Sequence, residues 1–261
     1  MIKYKTILYQ LIVKCRFLLN KSTLKKKKIW WRDDDSYELS KEFEKLLKFK
    51  EKMNIDVYLS VIPARITNSF INSIKNMKDV YVLPHGYMHT NHSKNGKKLN
   101  EFPKSRNKTE IMIDIRKSIE KLERCFPKKY VPVFVPPWEH FSEKLIPILL
   151  KYNIKALSLS GKKNAGKYLK SLNCDINFHE YQNFKDGNYK ASSKSLITLC
   201  NEIIDASKEK NKNQFIGFMT HHKDMTDEDW NNYSFLLLSL KKLECVPFEN
   251  DYFMNIIDGE R

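Results

Sequence analysis

Apolar positions along this chain alternate between short runs at strand spacing and longer stretches at helical spacing. Ile29-Trp30-Trp31 reads as a short strand, and Leu39–Met53 follows with Phe43, Leu46 and Leu47 at helical spacing. Val57–Ile62 is a second strand, ended by Pro63, and Asn68–Met77 is a short helix. Val80–Leu83 is a third strand, ended by Pro84. A polar segment then runs from His89 to Lys108, too long for a plain connector, and long loops in compact domains are often functional. Thr109 is the expected N-cap of a helix reaching about Phe126, with Ile111, Ile115, Ile119 and Leu122 on one face. Val131–Val135 is a strand broken by prolines, Ser142 starts a helix to about Tyr152, and Lys155–Leu159 is a strand. Residues 161–173 are loop-like, and Asp175–Tyr181 is another short strand. Ser192–Lys210 reads as a helix, Gln214–Thr220 as a strand and Asp227–Leu243 as a helix whose apolar face is Trp230, Phe235 and Leu238. Roughly seven such alternations predict an α/β fold with parallel strands. Parallel strands joined by helices end at one common face, which carries the functional site in barrels and open sheets alike.

The length of 261 residues suits one large core, and no repeat, Pro-rich linker or low-complexity stretch divides the chain. The formal net charge is +16, mostly from Lys scattered along the chain. Bidentate phosphate recognition favours Arg, so the excess reads as a solvated surface, and no nucleic-acid partner is expected. Five widely spaced cysteines, with no C-x-x-C, indicate neither a disulfide framework nor a Cys-type zinc site. They point to buried free thiols in a reducing compartment, hence a cytoplasmic location. Residues 1–28 form a basic amphipathic segment ahead of one main domain at 29–261. Within it Ile7–Val13 is apolar except for Gln10, but Lys14 and Arg16 make the run too short and too charged to span a bilayer. No small-residue cleavage site follows. A helix packed on the domain is expected, with peripheral contact to an anionic membrane as the less favoured alternative.

The unusual residues collect at the predicted strand ends. Asp33-Asp34-Asp35 follow the first strand, His85, His89 and His92 the third, Pro136-Pro137-Trp138 the fourth, Asp175 and His179 lie at the sixth, and His221-His222 end the last. Three adjacent carboxylates near a core mouth repel one another unless a cation joins them, and a metal ion or the neighbouring Arg32 would supply it. His85 and His89, spaced i, i+4, can reach one ion whether the segment is helix or turn. Two imidazoles and a carboxylate suit Zn²⁺ and leave positions open for water and substrate. A metallohydrolase also needs an acid for the leaving group, which gives the His221-His222 pair a second meaning beyond a satisfied strand end.

Taken in order, W-R-D-D-D (31–35), H-G-Y-M-H-T-N-H (85–92), F-V-P-P-W (134–138), L-S-L-S (157–160) and M-T-H-H (219–222) resemble the polysaccharide deacetylases, carbohydrate esterase family four. The likeness is to a bacterial subgroup with R-x-D-D, H-G-[WY]-x-H-x-N-H and V-P-P-W motifs, and it runs from about residue 29 to about 243. It implies a distorted (β/α)₇ barrel and a hydrolase that removes N-acetyl groups from an N-acetylated sugar or polysaccharide at a divalent metal, Zn²⁺ by expectation. It further implies Asp34 as base, Asp35, His85 and His89 as metal ligands and His221 as acid, with Asp175 orienting that histidine. A shift of one residue would make Asp33 the base and Asp34 the ligand. Trp138, Pro137 and Tyr87 are expected against the sugar. His92 and Asn91 are expected to support the ligands, and Glu101-Phe102 to close over the site. The Arg that usually precedes the proline motif and steadies the base is missing, with Val135 near its place, and Arg32 is the candidate substitute. Glu139 follows Trp138 where the subgroup often carries Asn. The alternative is a metal-containing, sugar-binding or degenerate deacetylase-like protein with little catalysis.

Overall fold

The fold is described from a computed structural model, over residues 2–93, 98–161, 163, 168–183, 189–209, 215–247 and 250–258. Strand β1 (Lys28–Ser36) is the central stave, paired in parallel with β2 (Val57–Val61) and β10 (Phe215–Thr220). β2 pairs with β3 (Val80–Pro84). Parallel bridges Val82↔Tyr130 and His85↔Val135 carry the order on to β4 (Val133–Phe134), which pairs with β5 (Ala156–Leu157), which pairs with β6 (Lys170–Ser171). The chain leaving β6 keeps contact with the end of β5 through Ser160↔Cys174, then continues into β7 (Ile176–Asn177), which pairs with β10. The segment 170–177 is thus one stave that joins β5 to β10 and completes a ring of seven parallel staves, a distorted (β/α)₇ barrel.

Strand alternation sorts the side chains into two cores. Trp30, Tyr58, Leu83, Val133, Val135, Ala156, Phe215 and Met219 fill the inside of the ring. Ile29, Trp31, Val57, Leu59, Val61, Val80, Val82, Ile216 and Phe218 face outward to the helices. Gly217 lies on the inner face of β10, where a Cβ would sit 2.3 Å from Trp30 Nε1, so the small residue makes room for the indole that plugs the barrel. The helical layer includes α3 (Lys41–Met53), which buries Phe43, Leu46, Phe49 and Met53, α4 (Asn68–Ile74), α7 (Leu196–Lys208) and α8 (Asp227–Lys241). α5 (Lys108–Cys125) and α6 (Leu145–Lys151) cover β4 and β5, with Ile111, Ile115, Phe134, Leu145, Leu149 and Leu157 in one cluster. Ahead of the barrel, α1 (Ile2–Leu19) and α2 (Lys21–Leu24) pack on α7, and Val13, Phe17 and Leu24 enter the outer core.

Several boundaries differ from the pattern-based expectation. β1 runs through the aspartates instead of stopping before them, because Asp33 keeps the ladder to Thr220 and Leu59. Asn107, not Thr109, caps α5, its side chain accepting from the Thr109 N–H. The expected helix from Ser192 begins at Leu196 behind a Ser195 cap. The residues before it form β9 (Tyr189–Ser193), which is antiparallel to β8 (His179–Asn183). A strand pair at Val246–Pro247 (β11) and a final helix, α9 (Asn250–Asp258), gave no periodic signal; Phe253 of α9 enters the inner core against Trp30 and Tyr58.

Candidate metal centre

The parity of β1 decides where the three aspartates go. Trp30, Arg32 and Asp34 share the inner face, so Asp33 faces outward with Trp31. There Asp33 Oδ1 accepts from His222 Nδ1 at 2.6 Å and Oδ2 from Thr220 Oγ1 at 2.5 Å. Burial outweighs these partners and pushes the Asp33 carboxyl above its ordinary value. Asp35 would follow Asp33 outward, but the β1–β2 register shifts between Asp33 and Ser36 and Asp35 adopts φ +64°. Bulges of this kind re-aim side chains near functional sites. Here the bulge turns Asp35 into the same cleft as Asp34.

His85 and His89 enter that cleft from the end of β3, on a turn and not a helix. Gly86 has φ +59°, and a Cβ there would lie 1.9 Å from Glu101 Oε2 and 2.7 Å from Pro137 Cγ. His89 also has positive φ, at +55°. Glu101, fully buried, holds the turn from beneath by accepting from the Met88 N–H at 2.9 Å and the Tyr87 N–H at 3.2 Å. His85 Nδ1 lies 2.9 Å from the Val135 carbonyl, which accepts its N–H and leaves Nε2 with the lone pair.

Asp35 Oδ1 sits 3.2 Å from His85 Nε2 and 3.3 Å from His89 Nε2, and the three ligand atoms lie within 4.8 Å of one another. That oxygen is buried without a well-aligned hydrogen bond among the described residues. Burial alone would raise the Asp35 carboxyl, but the close imidazoles of His85 and His89 hold it well below the usual carboxylate range. Burial brings His89 down to about 4, so it is neutral, the form that donates to a metal. Burial alone would lower His85, but the adjacent carboxylates of Asp35 and Asp34 raise it, so the field at this point favours a positive charge. One anionic oxygen and two imidazole nitrogens converging on one point fit a divalent ion of the zinc or cobalt type.

Around this centre stand two further groups. Arg32, wholly buried, grips Asp34 side-on, Nε to Oδ1 at 2.8 Å and Nη2 to Oδ2 at 2.9 Å. Its Nη1 donates to Ser158 Oγ at 2.6 Å, and Glu139 Oε1 lies 3.8 Å from Nη2. On β10, parity sends His221 inward and His222 outward. Tyr181 Oη lies 2.8 Å from His221 Nδ1 and donates to Asp224 Oδ2 at 3.0 Å, so His221 Nδ1–H donates to the phenol and Nε2 faces Asp34 Oδ2 at 4.0 Å.

The cleft wall is completed by Leu99, Pro136, Trp138, Glu139, His140, Tyr181 and Tyr189. Trp138 and Glu139 both adopt positive φ, and the indole lies 4.3 Å from the His89 ring. Seven residues expected at the site stand away from this wall. The Tyr87 ring lies beneath the Lys117 ammonium, and Pro137 is buried against Gly86. The His92 imidazole is partly buried beside Arg106, both of which lower it. Asp175 accepts from the Gly217 N–H, and the place expected for it beside His221 belongs to Tyr181. Asn91 closes the loop on itself through the Ser93 and Asn100 N–H groups. Glu101 and Phe102 form floor, not lid. Tyr181 and Asp224 escaped the sequence reading, and Ser158 entered it only within L-S-L-S, with no role; a Tyr at strand parity with His179 and an Asp three residues after His221 were the available signals.

No family model and no curated protein matches this chain. Solved structures do. A family 4 acetyl xylan esterase from Clostridium thermocellum, in complex with a cobalt ion, matches at TM-score 0.55 and 12% identity, over 90% of this chain and 93% of that one. A family 4 carbohydrate esterase from Streptomyces lividans, in complex with acetate, matches at TM-score 0.54 and 12% identity, over 85% of this chain and 92% of that one. A CE4 family pseudoenzyme from Bacillus anthracis matches at TM-score 0.51 and 12% identity; this match covers 85% of this chain but only 63% of the pseudoenzyme. What this protein shares with these family 4 carbohydrate esterases is the fold.

Proposed function

We propose that this protein is a metal-dependent hydrolase that removes N-acetyl groups from an N-acetylated sugar or polysaccharide. One observation carries the reading: Asp35, His85 and His89 converge from two strands, with the Arg32–Asp34 pair and His221 in the same cleft. Asp35, His85 and His89 would hold the ion, zinc by preference. A divalent ion bound there supplies Lewis acidity to the acetyl carbonyl and to an attacking water.

Asp34 is the base that takes the proton of that water. Its two oxygens offer about four acceptor sites, of which the Arg32 Nη2–H fills one at Oδ2 while Nε lies 2.8 Å from Oδ1, so the carboxylate is oriented without being saturated. His221 is the acid. With Nδ1–H tied to Tyr181, its Nε2–H is the proton aimed into the cleft, ready for the departing nitrogen. Water adds its hydroxyl to the carbonyl carbon, the C–N bond breaks, and the products are acetate and the free amine. Trp138, Tyr181 and Tyr189 give the cleft flat apolar faces suited to a pyranose ring.

The test is acetate release from N-acetylglucosamine oligomers by chelator-stripped protein, before and after Zn²⁺ or Co²⁺ is restored. Acetate that appears only with metal is the expected result. A fully loaded protein that releases none from any N-acetylated saccharide overturns the proposal. A metal-containing binding protein is the second reading, favoured by the missing Arg of the proline motif. The side-on Arg32–Asp34 pair weakens it, because the base has a guanidinium partner from its own strand.

A further inference from the structure

Helix α1 is apolar on two opposite sides. Val13 and Phe17 point inward, with Tyr9 half-buried, where the helix meets α7 and α8. At 100° per residue, Tyr4, Leu8, Leu11, Cys15 and Leu18 recur in steps of four and three residues on the far side. Ile7 and Leu19 flank that row, and all seven are exposed, Leu18 by 62% and Leu19 by 84%. The same geometry puts exposed Lys5 and Arg16 along one border of the row and exposed Lys14 along the other. Residues 1–28 hold eight Lys, one Arg and no Asp or Glu, so they carry nine of the sixteen net positive charges. The excess that reads as scattered is concentrated at this helix and the turn after it, where Lys21, Lys25 and Lys26 are also exposed. The nearby acids are Glu244, paired with Lys25, and Asp205, beside Arg16 in a shallow surface depression.

An exposed apolar row on a folded domain marks a contact surface. No helix among the described residues is long and apolar enough to cross a membrane, and the opposite face of α1 is built into the core. A second copy would bring two all-basic helices together with no acid at the flanking positions to pair them. We infer that α1 lies flat on an anionic lipid surface. Leu8, Leu11 and Leu18 enter the acyl boundary, Lys5 and Lys14 reach the lipid phosphates, and Val13 and Phe17, with Arg16 hydrogen-bonded to Asn201 of α7, tie the helix to the barrel.

The experiment is co-sedimentation of the full chain with vesicles of phosphatidylcholine alone and of phosphatidylcholine with an equal part of phosphatidylglycerol. Binding is expected on the anionic vesicles only, and raised salt weakens it. Leu8→Glu/Leu11→Glu, on side chains that touch no core, should lower the partition coefficient about 100-fold while the melting temperature and circular dichroism stay those of wild type. Equal binding to both vesicles, or a double variant that binds like wild type, overturns the inference. So does a wild-type dimer by light scattering that the double variant breaks while neither binds vesicles, because the row then belongs to a second copy. None of these outcomes depends on acetate release.

Discussion

Replacing Asp34 by Asn takes the negative charge from beside a guanidinium that has no route to solvent. Arg32 is 0% exposed and Asp34 4%. Burial opposes the Arg32 charge, yet the field of Asp34 and of the more distant Glu139 raises it above its ordinary value, so the group stays charged in the folded protein. Removing one partner of a buried pair costs about 3–5 kcal/mol. Glu139 remains at 3.8 Å and Asn keeps one acceptor oxygen, so the lower end, about 3 kcal/mol, is expected here. At about 2–4 °C per kcal/mol for a chain of this size, the melting temperature should fall by about 6–12 °C. Turnover should fall about 10²–10⁴-fold, the usual contribution of a positioned base. Metal content should not change, because Asp35, His85 and His89 are untouched. Calorimetry, acetate release and elemental analysis of the same preparation read all three. The control is Arg32→Met/Asp34→Leu, which removes both charges; most of the melting temperature should return and none of the turnover. An Asp34→Asn protein that melts and turns over like wild type refutes the pairing argument. One that loses its metal and keeps residual activity exchanges the roles of Asp34 and Asp35.

His85→Ala removes a ligand and should leave the purified chain without stoichiometric metal; full zinc occupancy by elemental analysis counts against the centre. Tyr181→Phe frees His221 Nδ1, so kcat should drop about 10-fold, the worth of one hydrogen bond to a charged group, with KM within about twofold; a change confined to KM would assign Tyr181 to substrate binding alone. Gly86→Ala forces a Cβ onto the Glu101 carboxylate at a positive φ and should cost at least about 1 kcal/mol in urea denaturation; an unchanged midpoint would mean that the turn relaxes freely. Burial alone would raise the Asp229 carboxyl, but the nearby His179 imidazole and hydrogen bonds from Thr226 and Ser193 bring it down to about 2. That lies below the value of about 3.9 in an unfolded chain, so this stabilisation is complete above about pH 4 and is lost as pH falls through about 2. Wild type and Asp229→Asn should therefore differ in stability at pH 6 and converge near pH 2; a gap that stays constant with pH disproves the linkage.

Much of the site was legible because strand parity is a covalent property of the chain. Period-two apolar runs located β2, β3 and β10, and they put His85 and His221 on the inner face with Tyr58 and Met219. The aspartates were not separated this way, because the first strand was read as ending at Trp31; only the ladder through Asp33 fixes which of them faces inward. Helix α5 was equally plain from Ile111, Ile115, Ile119 and Leu122, and only its cap was misplaced, by two residues, from Asn107 to Thr109.

Other features had no local signature. Asp35 joins the cleft only because the ladder slips at a bulge, and that depends on which neighbours β1 pairs with. Arg32 was legible as a counter-charge to the aspartates, but its burial depends on Ser158 and Glu139, more than a hundred residues away. Tyr181 reaches His221 because a hairpin from β8 and β9 folds over the rim, and Glu101 is drawn beneath the His85–His89 turn by backbone N–H groups that a Gly86 conformation exposes. The residue order by itself determined the main barrel strands, their two faces and the ends at which the unusual residues collect, since these follow from the pitch of an extended chain. Tertiary structure alone decided which oxygen meets which nitrogen and what holds it there. Such contacts are set by hydrogen-bond partners remote in sequence, and no period along the chain encodes them.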